Sequence, residues 1–468
     1  MLQKNNWIYF FAAISGFSLL LFPEYAVHIS FVFWISIMSY CFSNIEERIL
    51  LMFFSFTIFV FCMTQIVIPE YYTNDYIQYS QRVTNSFSHN TYNFIAISCF
   101  LSMVSSLIGF NSVKKSIYGN YLLNIDIDSY KVKRIRKLAK WLYLSSSLLV
   151  VYSIYSRFSY VAANGYMDSF ANYNNNLPEI LNKFASTNKL CLYLYLASLP
   201  SKKEAKPILL VFLLISVFSL LTGSRTGFIM SLITILVYLT LRNRIDPNNP
   251  WLTRKSKIVV VLLLPFIAAF MFLVMLIRGD SSTDDIGFFD MVVNSIYQQG
   301  SIIDVLGTAY ENAENIPYRF WSFGRIIDSY GNNFIFQLLG IGQEFKSNTA
   351  EIALNGHSLG SYLTYTYQTE RFLLGGGMGS SFIAESWLDF GYIGVVGFSF
   401  IYGIILSKFF IWARKNIWIC ALAFYMVNAI IYAPRAGASD FISDILSPTY
   451  LLLLACVYLY AKPAKKCR

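Results

Sequence analysis

The chain has 468 residues, of which 56% are hydrophobic and only 13% charged, and its mean hydropathy is +0.50. That excludes a soluble globular chain and calls for membrane spans, each consuming about 20 apolar residues to cross the hydrocarbon. The net charge of +10 would suggest nucleic acid in a soluble protein. Here the basic residues gather in loops between apolar stretches, where they orient a membrane protein, and nucleic acid is not an expected partner.

In chain order, twelve stretches are greasy enough to cross or nearly cross a bilayer: 7–22, 25–42, 49–68, 91–110, 141–157, 188–200, 207–222, 226–241, 258–277, 382–407, 416–433 and 446–461. Several are shorter than ideal, notably 188–200. If they alternate from a cytoplasmic N-terminus, one side holds 25 of the 36 basic residues. The expected fold is an all-α polytopic membrane protein with about 12 transmembrane helices, both termini cytoplasmic and one large periplasmic loop. Its organisation reads as a first bundle of about nine spans over 1–277, the loop over 278–381, and a C-terminal bundle of about three spans over 382–468. Only Lys4 precedes the first stretch and Phe22-Pro23-Glu24 follows it, which reads as a retained span rather than a signal peptide.

The seven cysteines fall in or beside spans or in the basic tail, and no CxxC spacing occurs, so a disulfide framework is not expected. Three scattered histidines (His28, His89, His357) argue against a zinc site, and no metal or cofactor is expected. The basic loop 111–140 contains Asn124-Ile125-Asp126-Ile127-Asp128. Without strand–helix alternation around it, that DxD reads as solvated loop.

On the other side, loops 69–90 and 158–187 are rich in Tyr, Asn and Ser, with the flexible tract Asn172-Tyr173-Asn174-Asn175-Asn176. Segment 278–381 differs. From Asp280 to Glu370 it carries eleven acids, against the bases Arg319, Arg325, Lys346 and Arg371, a net of about −7. Phe288, Met291, Val292, Ile296, Ile303, Leu306 and Tyr310 recur near helical spacing. They predict an amphipathic helix over 286–313, lying at the membrane interface or packed on the rest of the loop. About a hundred residues is too long for mere connection. The absence of a visible half-chain repeat counts against a secondary transporter.

Four arginines outside the basic loops close or open spans. Arg225 stands in Thr222-Gly223-Ser224-Arg225-Thr226-Gly227, Arg157 ends Tyr155-Ser156-Arg157, Arg278 precedes Gly279-Asp280, and Arg435 follows Ala433-Pro434. Each singly is explained by snorkelling or structural pairing. Four at matching depth suggest one outward-facing anion site, since a guanidinium grips phosphate through two hydrogen bonds. The block Gly375-Gly376-Gly377-Met378-Gly379-Ser380-Ser381 feeds a span bearing Glu385 and Asp389. Four residues apart, these share a helix face. Glu385 either pairs with an arginine or serves as general base on a sugar hydroxyl; Asp389 faces a polar cavity or a neighbouring helix as a packing contact. His357, in Asn355-Gly356-His357-Ser358, is either an idle exposed histidine or a base suited to neutral pH.

At these residues the chain resembles the Wzy-type O-antigen polymerases, oligosaccharide repeat-unit polymerases of bacterial envelopes. The Gly-Ser-Arg-Thr-Gly turn and the block from Gly375 through Gly394 carry the resemblance, together with the long outer loop and the many-span, Tyr- and Phe-rich layout. The two motifs cover about a tenth of the chain. The resemblance implies a GT-C-like, inverting, metal-independent glycosyltransferase of the bacterial inner membrane. It would join undecaprenyl-diphosphate-linked glycans on the periplasmic side, amid membrane lipid and with a chain-length regulator as a partner. On that reading His357 and Glu385 are catalytic, and Arg157, Arg225, Arg278 and Arg435 bind the diphosphate. An O-antigen ligase is the nearest alternative, but His357 lacks a counterpart of the ligases' extended histidine motif. A flippase or transporter predicts charges through the whole bilayer depth, whereas these cluster at one boundary. An envelope scaffold predicts arginines replaceable by lysine.

Overall fold

The structure, a computed structural model, describes residues 6–83, 87–113, 125–127, 129–165, 169, 173–220, 222, 225–278, 286–331 and 348–462. It is 82% helical, and the described residues contain no strand. Among them, nine helices are long and apolar enough to cross a membrane. Three of the twelve apolar stretches fall outside that nine. The first is the 15-residue helix Trp7–Leu21. The stretch 188–200 yields only the ten-residue helix Asn188–Ala197, because Leu199 turns into the left-handed region (φ 49°) just before Pro200. Helix Lys202–Leu220 opens with four charges in five residues. Gly223, Ser224, Asn172, Lys346, Asn124 and Asp128, and the basic run 114–124, lie outside the described residues.

The chain folds as two units. One comprises 1–113, 258–407 and 429–440; the other comprises 114–257, 408–428 and 441–468.

In the first unit, helices His89–Ser112 and Phe382–Trp412 meet along a seam of small residues. A Cβ on Gly109 would lie 2.1 Å from the Phe400 carbonyl oxygen, and one on Gly403 would lie 2.2 Å from that of Ser106. Ser399 donates to Ser102 at 2.9 Å across the same seam. Backbones approach this closely in a bilayer only where side chains are small. A π-turn at Phe59–Met63 interrupts the span Ile45–Tyr71 and brings it against the turn Ala433–Arg435: Thr57 Oγ1 donates to the Ile431 carbonyl at 2.7 Å, and Phe61 and Tyr432 meet edge to face.

The expected helix over 286–313 is two helices, Phe288–Gln299 and Ile303–Glu311. The break falls at Gly300, where a Cβ would lie 2.4 Å from Thr64 Oγ1. Both pieces pack on protein. The first is tied down by Asp290, which accepts from Tyr72 and, at 2.7 Å, from Asn74. In the second, Glu311 accepts from Thr91 at 2.7 Å, and Tyr310 stacks on Phe94.

In the second unit the 35-residue helix Tyr130–Asn164, N-capped by Ser129, is about 52 Å long at 1.5 Å per residue. That exceeds the hydrocarbon, so its basic first turns lie beyond it. Asn188 fastens helix Asn188–Ala197 to it, donating to Ser146 at 3.0 Å and Ser147 at 2.9 Å. Such polar cross-links replace the hydrophobic driving force that lipid does not supply between helices.

Candidate functional site

Three short helices and two span ends converge in the first unit around a cleft of about 460 Å³. Its walls include Arg325 and Asp328 on helix Gly324–Gly331, His357, the glycine run 375–379 with Ser380, Glu385, and the segment Tyr432–Asp440.

His357 stands between helices Ala350–Asn355 and Leu359–Tyr367, the latter N-capped by the Ser358 hydroxyl. Its ring Nδ1 lies 2.9 Å from Asp328 Oδ1, and its backbone N–H donates to the same carboxylate at 2.9 and 3.1 Å. The close approach is possible because residue 324 is glycine: a Cβ there would lie 1.9 Å from the His357 carbonyl oxygen. Arg319 secures the preceding residue, donating to the Gly356 carbonyl at 3.0 Å.

Glu385 is buried in the first turn of helix Phe382–Trp412. One carboxylate oxygen accepts from the Ser380 hydroxyl at 2.6 Å, the other from the Ala438 N–H at 2.7 Å. It thus ties the glycine-rich loop to the Gly437–Asp440 segment rather than to an arginine. Asp389, one turn on, accepts from the N–H groups of Trp321 (2.9 Å) and Ser322 (2.7 Å). It satisfies two donors at the start of the turn leading into helix Gly324–Gly331, as a helix N-terminus requires. Phe320, immediately before, is held at φ 52°, a conformation unfavourable for a bulky residue. Two residues past Asp389, Gly391 (φ 63°, ψ −154°) breaks the helical backbone, so both carboxylates belong to a short segment set apart from the following Tyr392–Trp412.

Arg435 ends the turn after helix Ile417–Tyr432 and lines the cleft. Its guanidinium donates to the Gln299 carbonyl at 3.3 Å and lies 5.6 Å from the Phe61 ring centroid. No carboxylate among the described residues pairs with it. Arg325 is paired with Asp440 at 3.0 Å.

The structure therefore brings together three of the expected residues, His357, Glu385 and Arg435. Arg157 and Arg225 belong to the second unit, within helix Tyr130–Asn164 and at the start of helix Arg225–Ile245. Arg278 closes helix Arg254–Arg278, and its side chain, like Gly279 and Asp280, lies outside the described residues. Asp328, Arg325 and Asp440 were not singled out from sequence. Their signal is faint: Arg325 and Asp328 are three apart, on one face of a single helical turn.

The arrangement offers an imidazole, a guanidinium with donors to spare and a wall of glycine backbone, which together can hold an oxyanion and accept a proton. The family model for the O-antigen polysaccharide polymerase Wzy matches residues 5–467. No match was found among curated proteins or among solved structures.

Proposed function

We propose, for a chain that belongs to the O-antigen polysaccharide polymerase Wzy family, that the cleft is the site where one lipid-diphosphate-linked glycan is transferred onto the next repeat unit. The family acts in polysaccharide polymerisation by glycosyl transfer in the membrane. The finer reading is that undecaprenyl diphosphate is the carrier, that transfer inverts the anomeric centre, and that the cleft faces the periplasm of the inner membrane. The excess of bases in the opposite set of loops supports that orientation.

The observation that carries the proposal is the convergence of His357 and Arg435 on one cleft. The acceptor sugar's hydroxyl oxygen attacks the anomeric carbon of the donor glycan while its proton passes to His357 Nε2. The bond from that carbon to the diphosphate oxygen breaks, and the electron pair leaves on the diphosphate. Arg435 meets the charge developing there, aided by the N–H groups of Gly377 and Gly379, since those of Gly375, Gly376 and Met378 are bonded to Phe372, Arg371 and Thr364. Glu385 holds the two walls in register through Ser380 and Ala438. The sequence settings of Arg157, Arg225 and Arg278 support anion binding by each of them, tested one substitution at a time. Because arginine supplies the counter-charge, no metal is needed. Extension by membranes carrying the protein should persist in excess chelator; a loss restored by Mg²⁺ would refute metal independence.

Deleting the gene in its host tests the function directly. The expected result is loss of the polysaccharide ladder on a gel, with one repeat unit still displayed. Loss of all surface glycan would point to a ligase or a flippase instead.

A further inference from the structure

We infer that Asp328 is the positioning residue of His357: it fixes the imidazole as its Nδ1–H tautomer, leaves Nε2 to take the acceptor's proton, and stabilises the imidazolium that results. The inference rests on the reading of His357 as the base and adds the residue that makes it one.

Three observations carry it. First, one carboxylate receives both the ring Nδ1 and the backbone N–H of His357. A carboxylate oxygen can only accept, so Nδ1 must bear the hydrogen and Nε2 carries the lone pair. No partner meets Nε2 among the described residues, and the ring is part of the cleft wall.

Second, Asp328 pairs with no lysine or arginine among the described residues. Arg325 lies one turn before it on the same helix, yet pairs with Asp440. The contacts of Asp328 among the described residues all go to His357.

Third, the seat is built. Gly324 admits the His357 backbone, Gly356 sits where a Cβ would lie 2.5 Å from the Ile352 carbonyl oxygen, and Asp389 holds the N–H groups that begin the turn carrying Asp328. A base whose ring is held by a second group, itself held by a third, is the arrangement an activated proton acceptor needs. The other charged groups of the site are Arg325, Asp440, Glu385 and Arg435, with Arg319 behind Gly356. Asp328 is the one in direct contact with the ring.

The chain has only three histidines, so ¹⁵N-histidine NMR of the full-length protein in detergent can be assigned with His357→Gln. The expected spectrum shows His357 as the Nδ1–H tautomer when neutral. In Asp328→Asn the side-chain amide can present either its oxygen or its NH₂ to Nδ1, so the neutral ring should populate both tautomers. Extension is assayed on lipid-linked repeat units extracted from the polymerase-deleted host. In that assay Asp328→Asn should lower kcat by about tenfold to a hundredfold, part of the ~10²–10⁴ that a positioned base supplies. KM should stay unchanged. An Nε2–H tautomer in the native protein, or a ring that stays wholly Nδ1–H in Asp328→Asn, overturns the inference. If the tautomers behave as expected but His357→Gln still extends chains, the pair stands and the catalytic reading of His357 fails. If Asp328→Asn unfolds the protein, the native tautomer alone decides.

Discussion

Arg435 combines a cleft position with a guanidinium that no carboxylate neutralises among the described residues. Arg435→Lys should therefore fail almost as badly as Arg435→Ala, since an ammonium lacks the two-donor fork that matches phosphate oxygens. The measure is ladder length in a complemented deletion strain at matched protein levels, and full rescue by Lys would reduce Arg435 to a point charge. Arg225→Ala should likewise abolish extension while the protein still inserts; unchanged long ladders would remove it from the diphosphate set. Asp389 shows how far a residue's job can be read from sequence. Its spacing from Glu385 put both on one helix face, and both do reach inward. Their partners, Ser380, Ala438 and the Trp321–Ser322 amides, are 5 to 68 residues away, and no local pattern names them. Asp389→Asn keeps one acceptor oxygen and loses the other, at a cost of about 1–3 kcal/mol for a charged hydrogen bond left unmade. A lower melting temperature in detergent would show it.

At the scale of elements, the spans were legible because an apolar run of that length has few other uses in a chain. The short helices of the cleft were not. Pieces of eight or nine residues such as Gly324–Gly331 and Leu359–Tyr367 are too brief for periodicity to set their ends. The break between Phe288–Gln299 and Ile303–Glu311 comes from a tertiary contact at Gly300. Helix pairing gives a sharp prediction. Gly403→Leu must push Ser106 or its helix aside and should cost about 1–3 kcal/mol or more. Gly397→Ala, in the same helix with open space around it, should gain about 0.5–1 kcal/mol from backbone entropy. Equal melting temperatures for the two variants would contradict the close seam. Helix Ile303–Glu311 adds a pH dependence. Asp304 Oδ1 is buried without a hydrogen-bond partner among the described residues, and burial raises its pKa, with Arg371 pulling the other way. The folded chain thus keeps that proton longer than the unfolded one. The resulting cost is absent below the ordinary aspartate range and grows as pH climbs through the raised folded value. Asp304→Asn should therefore stabilise the protein at about pH 7.5 and do little at about pH 4, near the unperturbed aspartate pKa. A gain of the same size at both pH values would assign the effect to packing.

For the whole molecule, the sequence announced a polytopic membrane protein and its polymerase kinship, while the division into two units was hidden. Each unit is assembled from three separated stretches of chain, and contact between stretches far apart leaves no mark in composition or period. The cleft depends on that interleaving. The Arg325–Asp440 pair, the Arg435–Gln299 bond and the Glu385–Ala438 bond each stitch the long loop or its adjoining helix to the turn after helix Ile417–Tyr432. A chimera that borrows only the loop from a relative with another glycan would arrive with one half of the Arg325–Asp440 and Arg435–Gln299 stitches. Swapping specificity within the family should therefore require moving two cassettes at once, about 286–389 and 432–440, although more than forty residues between them need not change.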